Sequence, residues 1–164
     1  MNILVTGGTG FVGKPLVESL LSRDDSVTVL TRSIEKAQTI FPEKTPQFLT
    51  ALSTLKDLNE FDAVINLAGE PIFDKRWTVQ QKEKLRHSRI DLTQQIVQLI
   101  NQSKYPPVLI SGSATGIYGN CGDDQITEDA NPSTQFTAQL CIDWENAAKQ
   151  ANTRVCLVRT GLVL

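Results

Sequence analysis

The sequence predicts an α/β fold, a doubly wound parallel sheet of about six strands with helices on both faces. Three observations predict it. Short β-branched runs alternate with longer segments of helical period, the run Ala63–Leu67 is continuously apolar, and a glycine cluster separates the first run from the first helical segment. Alternation of strand and helix implies right-handed crossovers between parallel strands. Continuous rather than alternating apolarity is what a strand covered on both faces shows.

Taken in order, Ile3-Leu4-Val5 is the first strand, bounded by glycines. Val12, Leu16 and Leu20, with Val17 and Leu21, recur at the spacing of an amphipathic helix. Val27–Leu30 reads as the second strand, residues 34–40 as a short helix stopped before Pro42, and Gln47-Phe48-Leu49 as a third, weaker strand. The fourth, Ala63–Leu67, ends at Ala68-Gly69. A long helix follows from about Thr78 to Gln102, with Leu85, Leu92, Ile96 and Leu99 on one face and Thr78 as N-cap. Pro106-Pro107 breaks it, Val108-Leu109-Ile110 makes the fifth strand, and residues 117–132, dense in Gly, Asn, Asp and Pro, read as loop. Phe136, Leu140, Trp144 and Ala148 mark the last helix, and Val155–Val158 the sixth strand.

The 164 residues amount to about one domain. Sixteen Lys and Arg against eighteen Asp and Glu give a net charge of −2, which disfavours a nucleic-acid partner. Apolar runs fall far short of the ~20 residues of a spanning helix, and no basic leader precedes the first strand, so the expectation is a soluble, cytoplasmic protein without a membrane partner. Cys121, Cys141 and Cys156 are odd in number and widely spaced, which suits reduced thiols. They lack metal-ligand spacing, and His87 is the only histidine, so no metal site is expected. The chain stops on the apolar run Leu162-Val163-Leu164, unlike the usual polar terminus, and so reads as the N-terminal piece of something longer.

The chemistry starts at Thr6-Gly7-Gly8-Thr9-Gly10-Phe11-Val12-Gly13, between the first strand and the first helix. Glycines at 7, 10 and 13 have separate tasks there: a tight turn, backbone approach to a diphosphate, and close packing of helix on strand. The helix N-terminus then offers free N–H groups to phosphate oxygens. Gly7, Thr9, Gly10, Phe11, Val12 and Gly13 are therefore the candidate cofactor residues of this turn. The stretch nearly spells a nucleotide-hydrolase P-loop, but Lys14 is followed by Pro15 where a magnesium-holding hydroxyl belongs. In NAD-binding sheets a carboxylate ends the second strand and takes the ribose 2′-hydroxyl. Here Arg32 stands nineteen residues after Gly13 with no carboxylate at the strand end, a choice that suits a 2′-phosphate. The expected cofactor is NADP, with NAD second.

These residues resemble the extended short-chain dehydrogenases/reductases. Thr6 to Gly13 is similar to that superfamily's T-G-x-x-G-x-x-G signature, Asn66-Leu67-Ala68-Gly69 to its N-x-A-G turn, Ser111–Gly119 to its serine-bearing fifth strand, and Arg159-Thr160-Gly161 to its sixth. Asn66 to Trp77 and Ser111 to Gly119 resemble more narrowly the bacterial epimerase-family proteins of the atypical subgroup, related to nucleotide-sugar epimerases. The resemblance covers essentially the whole chain. It implies a Rossmann domain over residues 1–164, an NAD(P) cofactor, a small-molecule substrate such as a nucleotide sugar, and a substrate-binding part further along the chain. It also implies a Ser/Tyr/Lys set that moves a proton while hydride moves to or from nicotinamide. Long helices such as Thr78–Gln102 mediate homodimers in that superfamily.

Ser113 matches the family's serine, with Ala114 as the alternative alignment. The Tyr-x-x-x-Lys pair has no match: near residue 135 the two frames give Gln135 with Gln139 or Phe136 with Leu140. Arg89 stands where the family has an active-site asparagine. Tyr118, beside Ser113, is the candidate acid in their place. Leu67, Ala68, Gly69 and Glu70 are expected against the cofactor, and Lys75, Arg76 and Trp77 form a basic and aromatic cluster on the same loop. His87, among the charges of residues 82–89, reads as solvated helix surface and Cys141 as core. The alternative function is a dinucleotide-binding sensor or scaffold without turnover.

Overall fold

The computed structural model describes residues 1–42 and 45–163, so Leu164 of the apolar terminus lies outside the described residues. Six strands form one sheet: β1 (Asn2–Thr6), β2 (Ser26–Leu30), β3 (Gln47–Leu49), β4 (Ala63–Asn66), β5 (Val108–Ala114) and β6 (Val155–Thr160). Their order is β3-β2-β1-β4-β5-β6 and every pairing is parallel. The order reverses at β1, between β2 and β4, which opens a crevice beyond the strands' carboxyl ends.

Helices α1 (Gly13–Ser22), α2 (Ile34–Ile40), α3 (Val79–Gln102) and α4 (Phe136–Ala148) connect the strands, with one-turn 3₁₀ segments at Leu52–Thr54 and Thr115–Ile117. Alternate residues of β1 divide between two cores. Ile3 and Val5 join Val17 and Leu20 of α1, whereas Leu4 joins Ile96 and Ile100 of α3. Val64 and Ile65 of β4 split the same way. Leu4 and Val5 are both fully buried, so each stabilises the sheet by about 1.5–3 kcal/mol.

The helix starts differ in a way that matters. Ser33 caps α2 by accepting from the Lys36 N–H, and Thr78 caps α3 by accepting from the Gln81 N–H. The N-cap of α1, Val12, supplies no side-chain bond, and no acidic residue stands in the first turn. The fifth strand is longer than Val108–Ile110. Ser111 to Ala114 continue it, because Ser111, Gly112, Ser113 and Ala114 find partners from Leu157 to Thr160 on β6. Among the described residues no helix is long and apolar enough to cross a membrane.

Candidate functional site

The turn after β1 closes on itself in a way only hydrogen permits. Gly7 sits at φ +71° against the backbone of Leu67, and a Cβ on Gly13 would fall 2.1 Å from the Gly7 carbonyl oxygen. The Gly10 N–H donates to Gly7 O at 3.0 Å and the Lys14 N–H to Gly10 O at 2.9 Å. Backbone therefore lines the surface here, beside a helix start whose partial positive charge no side chain takes up.

A cavity of about 780 Å³ runs from this turn along the carboxyl edge of the sheet. Of the residues expected at a cofactor, Gly7, Thr9, Gly10, Arg32, Leu67, Ala68, Gly69 and Glu70 line it. Phe11 (72% exposed) and Val12 (43% exposed) do not line it, nor does Gly13, which is buried. Two residues the sequence reading passed over, Ser33 and Lys36, line the same end as Arg32. Their signal was legible: Lys36 is one helical turn past Arg32, in the first turn of a Ser-capped helix. Opposite stands Glu70, whose carboxyl accepts from Lys75 Nζ at 2.9 Å. That bond holds it below the usual carboxylate range, with a smaller contribution from Arg32.

The cleft floor is tied down by a buried polar chain. Thr6 Oγ1 donates to Asn66 Oδ1 at 2.7 Å and accepts from the Ala68 N–H at 3.2 Å. Asn66 Nδ2 donates to Thr93 Oγ1 at 2.8 Å, Trp144 Nε1 donates to the same oxygen at 3.0 Å, and Thr93 donates on to Arg89 O at 2.7 Å. Arg89 serves as a strut. Its Nη2 donates to Glu70 O at 3.0 Å, and its guanidinium lies 5.4 Å from the centre of the Trp144 ring. Burial draws the Arg89 pKa down from its ordinary value. The loop cluster separates: Lys75 joins Glu70, Trp77 Nε1 donates to Ile72 O at 2.7 Å, and Arg76 stays exposed. His87 is exposed on α3 between Glu83 and Asp91.

Ser113 and Tyr118 do not line the cavity. They belong to a second cluster at the carboxyl ends of β5 and β6. Ser113, buried, donates its hydroxyl to Glu145 Oε1 at 2.7 Å. Arg159 grips the same carboxylate through Nε at 2.7 Å and Nη2 at 2.8 Å, and its Nη1 donates to Tyr118 Oη at 2.6 Å. Arg159 holds the Glu145 carboxyl below the usual range, and Glu145 raises the guanidinium in return. Glu145 was missed in the sequence. Its signal is its place with Cys141 and Ala148 on the buried row of α4.

The start of α4 carries neither phenol nor amine where the resemblance wants them. Gln135 is the N-cap, Phe136 packs on Trp77 at 5.7 Å, and Gln139 donates to Asp143 at 2.7 Å. Cys141 is buried, as expected, and burial pushes its thiol up.

Comparison with known proteins gives a consistent picture. A model of the NAD dependent epimerase/dehydratase family matches residues 3–164. The chloroplastic SDR39U1 homologue of Arabidopsis thaliana, an epimerase family protein, is 40% identical over the whole chain, which covers 49% of that relative. Human epimerase family protein SDR39U1 (isoform 2), solved with NADPH, superposes with a TM-score of 0.86 at 30% identity, over all of this chain and 55% of that one. The nucleoside-diphosphate sugar epimerase of Corynebacterium glutamicum gives 0.78 at 30% identity, over all of this chain and 34% of that one. The chain thus spans about half the length of the curated relatives it matches.

Proposed function

The chain belongs to the NAD dependent epimerase/dehydratase family, and from that premise we propose that it is the nucleotide-binding domain of an NADP(H)-dependent, epimerase-like oxidoreductase or isomerase. Its substrate is a nucleotide sugar or another small carbonyl or hydroxyl compound, contacted in part by a further region of the kind that the longer relatives have. We place the protein in the cytoplasm.

One observation carries this reading: a single cavity joins a backbone-lined glycine turn to Arg32, Ser33 and Lys36. The residues present fit the cofactor. Gly7, Leu67 and Ala68 line the cavity so closely that a Cβ on Gly7 would fall 2.7 Å from the Leu67 carbonyl carbon, and no carboxylate stands at the end of β2 to repel a phosphate. Gly7, Thr9 and Gly10, with the amides opening α1, would hold the diphosphate. Arg32 and Lys36 would take a 2′-phosphate, and Leu67 to Glu70 form the facing wall. Bound there, the nicotinamide supplies or accepts a hydride. The chain's own part would be to line the cavity with Thr6 and Ala68, whose positions are fixed by the buried polar chain running from Thr6 to Trp144.

The second reading, a sensor or scaffold, is favoured by Gln135, Phe136 and Gln139 at the start of α4, where a proton-transferring pair is expected. Calorimetric titration of nucleotide-stripped protein tests the first. NADPH uptake at least tenfold tighter than NADH uptake is the expected result, and no uptake of either by folded protein would reject it. Turnover separates the two readings.

A further inference from the structure

The chain contains two tyrosines, at opposite ends of β5. Tyr105 precedes the strand at its amino end, is 66% exposed, and lies under the Lys104 ammonium. Tyr118 follows the strand at its carboxyl end, the edge along which sheets of this order hold ligands, and stands beyond the residues that line the cavity of the glycine turn. It is half-buried and its ring lies 5.3 Å from the Arg159 guanidinium.

Arg159 is seated so firmly that its contact with Tyr118 is not incidental. Nε and Nη2 occupy both oxygens of Glu145, a carboxylate only 2% exposed, and Ser113 adds a third bond to that acid. The remaining nitrogen, Nη1, faces Tyr118 Oη at 2.6 Å and the Glu128 carbonyl at 2.8 Å. Guanidinium donates and never accepts. In the Arg159 contact, then, Oη is the acceptor, and its own hydrogen is aimed elsewhere. Among the described residues no acceptor takes that hydrogen. The Ser113 hydrogen, by contrast, is spent on Glu145. Of the two candidate hydroxyls, that of Ser113 is locked in an ion-pair network and that of Tyr118 has a proton to give.

We infer that Tyr118 exchanges a proton with the substrate oxygen, and that Arg159, seated by Glu145, is the positioning residue that holds the phenol and its phenolate. This rests on the NADP(H)-binding reading above. In the reducing direction the Oη–H bond breaks and an O–H bond forms on the carbonyl oxygen, as its carbon takes up a hydride from the reduced nicotinamide. The phenolate left behind keeps its hydrogen bond from Nη1 and regains a proton from water. Arg159 is held by both oxygens of Glu145, so the charge that develops on Oη meets a donor already in place. A cation from β6 thus takes up the task that the superfamily gives to a lysine on the last helix.

The test uses the full-length protein with NADPH and a panel of aryl aldehydes, α-diketones and UDP-hexoses. Its variants are Y118F, R159K and the charge-neutral pair E145Q/R159M, which avoids burying one lone charge. Three quantities are read: NADPH affinity, kcat against KM, and the Cζ resonances of ¹³C-labelled tyrosine, where two signals are expected. The inference requires every variant to bind NADPH within about threefold of wild type. Y118F should lower kcat by about 10²–10⁴-fold. E145Q/R159M should lower kcat by at least about tenfold with KM little changed, and R159K should restore part of it. The Tyr118 resonance should move in E145Q/R159M while that of Tyr105 stays. Undiminished turnover by Y118F overturns the inference, as does a double variant that loses melting temperature but keeps kcat. Wild-type protein that binds NADPH yet turns over none of the probes also overturns it, and leaves the cofactor reading standing. Folded protein that takes up no NADPH removes that reading itself.

Discussion

Replacing Gly13 with alanine probes the packing of the glycine turn on the start of α1. The added methyl would stand 2.1 Å from the Gly7 carbonyl oxygen and 2.8 Å from the Gly7 carbonyl carbon and the Gly8 Cα. Ordinary contact needs about 3.5 Å, so the turn and the helix start must part by roughly 1.4 Å. All three neighbours are backbone, and none can rotate away. Overpacking of this kind costs about 1–3 kcal/mol, against which the better helix propensity of alanine returns up to ~1 kcal/mol. A net loss of about 1–2 kcal/mol corresponds to a fall in Tm of roughly 2–8 °C for a chain of this size. The effect on NADPH affinity should be larger, because the amides that would meet the diphosphate ride on the displaced turn. A loss of about 10–100-fold, or ~1.4–2.8 kcal/mol, is expected by calorimetry. Gly161→Ala is the control, since nothing lies within 4 Å of the added carbon. Wild-type affinity in Gly13→Ala, with Tm unchanged, would refute the close approach of turn and helix.

Three further outcomes follow from the same geometry. Arg32→Asp should weaken NADPH binding by at least about tenfold while NADH binding holds or improves, read by fluorescence titration; equal effects on both cofactors would remove Arg32 from the 2′-phosphate. Glu145→Gln leaves Arg159 without its carboxylate, at a cost of about 3–5 kcal/mol in urea unfolding at pH 7. Since Arg159 depresses the Glu145 pKa in the folded state, that stability is present above the unfolded value of about 4.3. The gap between wild type and variant should therefore narrow as pH falls below it, and a gap independent of pH would contradict the ion pair. Thr93→Val removes the oxygen shared by Asn66 and Trp144, at about 1–3 kcal/mol for each group left unsatisfied, visible in Tm.

Most of the fold was legible because each strand and helix satisfies its own local rule. The helical spacing of Leu16, Val17, Leu20 and Leu21, the N-cap at Thr78 and the apolar run at Ala63 are all decided by nearest neighbours, whereas Val12, read into the same stripe, is the exposed N-cap of α1. What escaped was decided by pairing. Ser111 to Ala114 have little strand propensity of their own, and extend β5 only because β6 runs alongside as far as Thr160. A reading of one segment at a time has no access to its partner. The 3₁₀ turn at Leu52–Thr54 escaped for a related reason: Leu52 is buried by the core around Leu58 and Ile100, with no periodicity of its own.

The site divides along the same line. The glycine-turn end of the cavity was legible because glycine spacing and the charge ending β2 are local facts, and Arg32 lines the cavity with Gly7 and Gly10. Lys36 shows how far that logic extends, since a helical turn past Arg32 is also a local relation. The other end is built by contacts across long sequence separations, Ser113 to Glu145 and Tyr118 to Arg159, and these have no signature in any one segment. A motif comparison therefore selects Ser113 for its place on the strand, although its hydroxyl is taken by a carboxylate that the comparison does not consult. Glutamate in a buried helical row and arginine on the last strand each look unfavourable alone, because an unpaired charge in the interior is costly. Together they satisfy each other, and the one guanidinium nitrogen left over reaches the phenol. Along one helix, Gln139 thus turns outward to Asp143 while Glu145 turns inward to β6, and the second of these placements is decided by a strand that six residues separate from the end of the helix.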